Sequence, residues 1–386
     1  MKGMARVYGI ELSRIFSLRP AFSVLVMAVL IYSVFYPQPY LSEALRDVPI
    51  ALVDLDNTES SRELARRLDA SADVAIVANF PDTASAERAI FSRELYGILI
   101  IPKYFERDLL HNRASPVALH ADASYFLIYQ RVSGAVTAVT RAFGAEIETG
   151  RLIAARVDPT LAAAAPDPLP LTAVALFNPQ GGYATYILPA ALVLIFQQTL
   201  LIGVGLLGSY PNTALDALTW KEAGPAARVF GRLLAYLTLE VVTAAFFFVA
   251  LPYLYGFPRL GSPLAIAAFV LPFVLAVSAL GLVVARLLRD PLAVQLTTAA
   301  LGIPFLFLAG FSWPAEAIPQ WLRTVALVLP STSAINGLVN VAQLGASIQD
   351  VRPHFLMLWG LAAVYTLIAI LLEPQTGGER PKEAIS

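Results

Sequence analysis

The chain has 386 residues, of which 57% are hydrophobic and only 14% charged. Soluble globular proteins carry about 25% charged residues, so an ordinary cytosolic enzyme is excluded. The net charge of −1 offers no basic field for nucleic acid. The absence of cysteine excludes disulfide frameworks, thiolate metal sites and a cysteine nucleophile.

A bilayer core of roughly 30 Å needs about 20 apolar residues per helix. In chain order, residues 1–20 read as a cytoplasmic segment. Within it Ala5–Leu18 sets Val7, Ile10, Ile15 and Leu18 among Arg6, Glu11, Arg14 and Arg19, the pattern of an interfacial elbow helix. Residues 21–37 form the first apolar span. Tyr36-Pro37-Gln38-Pro39 does not resemble a small-residue cleavage site, so the span reads as an anchor rather than a signal peptide.

Residues 38–178 change character. The stretch 43–167 holds 18 of the 28 acidic residues and 13 of the 27 basic ones. Strand-like runs at 49–54, 74–77, 98–101 and 117–120 alternate with helical runs at 59–68, 84–93 and 104–110, and a long helix follows over about 129–156. This predicts an α/β domain with a small, largely parallel sheet, closed by an Ala/Pro-rich linker at 159–170. Asp54-x-Asp56-Asn57 reads as a strand end, turn and helix cap rather than a metal loop, since no histidine or further carboxylate supports it.

Residues 179–372 hold five more spans, near 184–207, 230–254, 263–285, 292–311 and 355–372. A short interfacial helix is expected near 333–345, where Ile335, Leu338, Val339 and Ala342 share a face. Residues 373–386 form the tail. With the N-terminus inside, the short cytoplasmic segments carry eleven Lys/Arg and the short outside loops carry Arg259, Arg323 and Arg352. The positive-inside rule then sets both termini in the cytoplasm and the α/β domain outside. The fold class is a polytopic α-helical membrane protein of six transmembrane helices with an inserted extracytoplasmic α/β domain.

Several motifs bear on chemistry. Gly203-x-Gly205-x-x-Gly208 matches a dinucleotide fingerprint formally, but it lies in an apolar span, where small residues serve close helix packing. No Gly-Lys dipeptide occurs, so Walker A hydrolysis must come from a separate subunit. Glu240 is the only acid inside a span. An intramembrane carboxyl is a functional hypothesis by default, with pairing to a neighbouring helix, lining of a polar path and protonation as its readings. Residues 210–228 form a cytoplasmic loop that offers Trp220, Lys221, Glu222 and Gly224 as a docking surface. Pro189, Pro252, Pro304, Pro314 and Asn178-Pro179 punctuate the spans.

These features together resemble the permease subunit of type-2 ABC exporters, in the subgroup with a large extracytoplasmic domain after the first helix. The resemblance is carried by residues 49–57 and Ser61–Leu64, by residues 97–102 with Phe105–Asp108, by Phe177-Asn178-Pro179, by residues 309–314, and by Ile318-Pro319, residues 329–332 and 344–347. The cytoplasmic loop departs from it: Glu222 and Gly224 match the family's Glu-x-Gly-Thr motif, while Pro225 stands where Thr is usual. The resemblance implies a non-enzymatic transport subunit of the bacterial inner membrane. It implies a second permease chain, identical or similar, in contact with membrane lipid. ATP would act through an ATP-binding cassette partner, with no cofactor or metal bound directly. It also implies hand-over to a periplasmic adaptor or outer-membrane channel. Trp220, Lys221, Glu222 and Gly224 become coupling-loop candidates, and Asn178, Tyr186, Glu240 and Phe311 translocation-path candidates. The competing reading is a membrane-anchored envelope sensor or assembly protein whose outside domain binds a ligand.

Overall fold

The computed structural model describes residues 2–41, 44–178, 181–211, 222–257 and 259–374. It divides into a helical unit, 1–43 with 175–386, and a smaller unit, 44–174.

In chain order the elements are α1 (Lys2–Ser17) and α2 (Arg19–Tyr40); then, in the smaller unit, β1 (Val48–Asp54), α3 (Glu59–Asp69), β2 (Val74–Asn79), α4 (Thr83–Phe91), β3 (Gly97–Ile101), α5 (Phe105–Leu110), β4 (Ala118–Ala121), α6 (Phe126–Ala154) and α7 (Pro159–Ala164). The helical unit resumes with α8 (Tyr183–Ser209), α9 (Pro225–Leu254), α10 (Pro263–Leu288), α11 (Pro291–Leu308), α12 (Gln320–Ala326), α13 (Pro330–Gln343) and α14 (Arg352–Leu372). Six of these, α2, α8, α9, α10, α11 and α14, are long and apolar enough to cross a membrane.

The smaller unit is a four-stranded sheet in the order β2-β1-β3-β4. β1 pairs in parallel with β2 and β3, whereas β4 runs antiparallel to β3. The sheet is therefore mixed. The inner strands are buried on both faces. Ile50 and Leu52 pack with Leu64, Leu68 and Val132 of α3 and α6, while Ala51 and Val53 pack with Ala86 of α4. That alternation follows from the two-residue period of a strand. Asp54 and Asp56 serve the turn after β1. Asp54 accepts from the amides of Asp56 and Asn57 and from Ser61 Oγ; Asp56 accepts from Thr58 Oγ1 and the amides of Tyr104 and Glu106. Burial works against ionisation of Asp56, but these hydrogen bonds hold its carboxyl below the usual range. The 159–170 stretch, expected as linker, contains α7.

In the helical unit α8 is the most enclosed span. Phe196 sits among Phe247, Phe248 and Phe273 at its heart. The Gly203-x-Gly205-x-x-Gly208 series acts by size alone. A Cβ on Gly203 would stand 2.3 Å from Leu25 Cγ, one on Gly205 2.6 Å from Val294 Cγ1, and one on Gly208 2.6 Å from Ala285 Cβ. Three helices, α2, α11 and α10, thus each close onto one glycine of α8, as small residues permit in lipid.

Pro189 lies within α8. Proline has no N–H, so the carbonyl four residues earlier loses its helical donor. That carbonyl, Thr185, receives Gln343 Nε2 of α13 at 2.7 Å. Beside the break at Leu301 in α11, the Thr298 carbonyl receives Gln198 Nε2 at 3.1 Å, and Gly302 leaves the room this needs. Span irregularities are thereby satisfied from neighbouring helices, the condition for tolerating them in a membrane.

A helix, α13 (Pro330–Gln343), covers the stretch near 333–345. Its first turns are enclosed, with Ser331, Thr332, Ser333, Ile335 and Leu338 buried. It meets α12 at a bend of 85°, and together the two have the length and composition of one broken span or a re-entrant loop.

Candidate functional site: the buried charge network and the polar positions of the spans

α1 presents Val7, Glu11, Arg14 and Ile15 on one buried face, the i, i+4, i+7, i+8 spacing of a helical stripe. That face packs along α9. Gly231 of α9 makes the approach possible, since a Cβ there would lie 2.8 Å from the Met4 carbonyl.

Two charges on this stripe would be costly to bury alone. Arg14 donates to Glu11 Oε2 at 3.0 Å and to the carbonyls of Leu207 and Tyr210 at the end of α8. Those carbonyls lack helical donors because the helix stops there. Glu11 also accepts the hydroxyl of the buried Tyr236. α1 is thus tied to the C-terminal end of α8 and to the body of α9.

A second cluster adjoins α9. Glu373, buried at the end of α14, faces three arginines. Arg286 of α10 grips it with Nη2 at 2.7 Å and Nε at 3.1 Å, while Arg228 and Arg232 of α9 stand at 3.6 Å. Arg228 also donates to the carbonyls of Ala223 at 2.7 Å and Pro374 at 2.9 Å. Each guanidinium therefore joins one helix end to another.

The coupling-loop candidates meet this network at its edge. Trp220 and Lys221 lie outside the described residues. Glu222 is exposed and pairs with Arg6 of α1 at 2.6 Å. Ala223 is buried against Val7. Gly224 caps α9 in an extended conformation, with no atom within 4 Å of a built Cβ. The end of the loop is thus fastened to α1 on one side and, through Arg228, to the Glu373 cluster on the other.

Of the path candidates, the structure joins two. The Tyr186 hydroxyl of α8 donates to the Phe311 carbonyl. Asn178 closes the turn before α8, exchanging hydrogen bonds of 2.8 and 2.9 Å with Gly182. Glu240 is 2% exposed on α9, and no ion pair or hydrogen bond reaches it among the described residues. Nothing links it to the other three.

Sequence reasoning missed the Glu373 cluster and the glutamines of α8. Gln197 donates to Ser331 Oγ at 3.0 Å, but its Oε1 has no partner among the described residues; the same is true of the Ser278, Thr332 and Ser333 hydroxyls. The available signal was the isolated acid at the end of the last apolar run, with arginines at the ends of two others.

Residues 21–371 match the ABC-2 family transporter protein profile. The chain belongs to this family. It is similar over nearly its whole length to the linearmycin resistance permease protein LnrN of Bacillus subtilis, with 23% identity over 94% of this chain and 97% of that one. Partial matches are ABC transporter G family member 20 of Dictyostelium discoideum, 25% identical over 50% of this chain and 27% of that protein, and the inner membrane transport permease YhhJ of Escherichia coli, 26% identical over 27% and 28%. The family makes this chain a multi-pass transport permease and implies an ATP-binding partner subunit.

Proposed function

We propose that the chain is the membrane-spanning half of an ATP-driven exporter in a bacterial inner membrane. It forms the path as a dimer with itself or a similar chain, and it is driven by a separate ATP-binding subunit that docks on the loop ending at Gly224. Both termini lie in the cytoplasm and the unit 44–174 lies outside, where it hands cargo to an envelope partner. Eleven Lys/Arg on one set of short loops against three on the other support this orientation.

The observation that carries the reading is the fastening of the loop's end. Glu222 is held to α1 by Arg6, Ala223 by Arg228, and Arg228 reaches Glu373 at the end of the last span. A force on the loop reaches α1, α9, α10 and α14 together. ATP biases the two arrangements of these helices only by its different affinity for each, and a stiff connection conveys that bias. The relative named for linearmycin resistance supports a harmful small molecule as cargo.

The test is a mild-detergent purification of the tagged chain from its native membrane. The expected result is a stoichiometric Walker-motif ATPase, lost on Glu222→Ala or Gly224→Ala. Neither change creates a clash or a cavity, since Glu222 is exposed and Gly224 has open space around it. A chain that emerges alone or only with envelope proteins, while a control ABC complex survives, overturns the coupling and moves the function to the unit 44–174.

A further inference from the structure

α11 is made of two helical pieces, Pro291–Ala300 and Gly302–Leu308, parted at Leu301. Bending an intact helix breaks backbone hydrogen bonds, which is costly in a membrane because no water replaces them. At this break that obstacle is already reduced. Pro304 brings no N–H to the Ala300 carbonyl four residues earlier. The Thr298 carbonyl accepts Gln198 Nε2 of α8 at 3.1 Å. The Oε1 of the same amide is buried with no partner among the described residues, so Gln198 holds a hydrogen-bonding site in reserve beside the break.

The two pieces are held differently. The first is fitted to α8: Val294 is fully buried against Gly205, and Thr298 is 1% exposed. The second buries Phe305 but leaves Ile303 and Phe307 more than half exposed. It runs out at Gly310, whose φ of +81° suits glycine and turns the chain. Just beyond, the half-exposed Tyr186 of α8 donates its hydroxyl to the Phe311 carbonyl. Open space adjoins this end. A cavity of about 700 Å³ separates Leu308, Ala309 and Gly310 from Arg323 and Ala326 of α12. Protein interiors hold few voids larger than a water molecule, so packing does not fix the second piece on that side.

We infer that Gly302–Leu308 is a gate segment that swings about Leu301 while Pro291–Ala300 stays on α8. Gln198 is the positioning residue at the pivot, and the Tyr186–Phe311 hydrogen bond is the latch. That the segment gates a transport path rests on the exporter reading; that it moves does not.

Hydrogen exchange of the full-length chain in lipid nanodiscs, read by mass spectrometry, tests the motion. Tyr186→Phe opens the latch and speeds exchange over residues 302–313 by up to about tenfold, the scale of one hydrogen bond. Residues 291–300 keep their rate. Pro304→Ala returns the missing N–H, and Gln198→Leu leaves the Thr298 carbonyl to the Gly302 amide. Added to Tyr186→Phe, this pair brings residues 302–308 back to the wild-type rate or below. Unchanged exchange over 302–313 in Tyr186→Phe overturns the latch. Equal acceleration of 291–300, or no slowing of 302–308 by the straightening pair, overturns the pivot. In a reconstituted complex the straightening pair slows export while ATP hydrolysis continues. Full export with 302–308 protected overturns the gate. Absence of any ATPase partner sinks the exporter reading and leaves the exchange results standing.

Discussion

The helical unit buries polar groups in two regions and treats them in opposite ways. Around Glu373 and Glu11 each arginine meets a carboxylate, and further donors are used on helix-end carbonyls: Arg228 on Ala223 and Pro374, Arg14 on Leu207 and Tyr210. Around the start of α13 the partners run out. Gln197 Oε1 and the hydroxyls of Thr332 and Ser333 are enclosed without hydrogen bonds. The first region is built as a joint, because these ion pairs favour one arrangement of the helices they connect. The second holds an amide oxygen and hydroxyls that no described residue satisfies. Burial of polar groups is common to both; what differs is that the first region rests on ion pairs and the second does not.

The largest effect is expected at Glu373. Replacing it by Ala leaves three arginines facing one another, two of them buried, and breaking a buried pair costs about 3–5 kcal/mol. Thermal unfolding of the purified chain, followed by size exclusion, shows a large fall in midpoint or no folded material. Ser333→Ala, in the other region, removes an unpartnered hydroxyl and leaves the midpoint unchanged or raised. Equal losses from the two substitutions would break the comparison.

Tyr236→Phe comes next. It removes one hydrogen bond to the Glu11 carboxylate, which keeps Arg14, so a loss of about 1.5–3 kcal/mol is expected in the same assay. Phe fills the ring's volume, so the cost reports the hydroxyl and not a cavity.

Glu240 tests the comparison from a third position, being buried and unpaired on the same helix as Arg232. Glu240→Gln removes a titratable group that no described residue satisfies, so stability is held or raised. Export by reconstituted complex is expected to slow. A loss of stability matching that of Tyr236→Phe would make Glu240 part of the joint instead.

The six spans, the four strands and the turn at Asp54 were legible because they rest on local signals: apolar run length, period and capping residues. The glycine series at 203–208 was legible as packing for the same reason. Other features depend on residues far apart in sequence. Arg228, Arg232 and Arg286 read as markers of membrane orientation, and Glu373 as the acid that ends the last run, yet they form one cluster from helices 141 to 145 and 87 residues apart. The antiparallel β4 has no local mark that distinguishes it from a parallel strand. Of the site, Glu222 and Gly224 were found through a resemblance, and Arg6, their fastening to α1, was not. The polar start of α13 looked interfacial because Ser331, Thr332 and Ser333 are hydrophilic; that α8 supplies Gln197 to meet them is a tertiary fact.

The smallest effect on stability is expected where the effect on coupling is largest. Arg6 and Glu222 are 60% and 67% exposed, and an exposed pair contributes about 0–1 kcal/mol. Arg6→Ala therefore leaves the unfolding midpoint nearly unchanged. It also frees the end of the loop from α1, so ATP hydrolysis by the assembled complex should continue while export per ATP falls. Arg6→Lys sharpens the point: it keeps a cation opposite Glu222, so export per ATP is retained if α1 and the loop need only be held together. If export per ATP falls as far with Arg6→Lys as with Arg6→Ala, the charge pair is not what holds the end of the loop to α1.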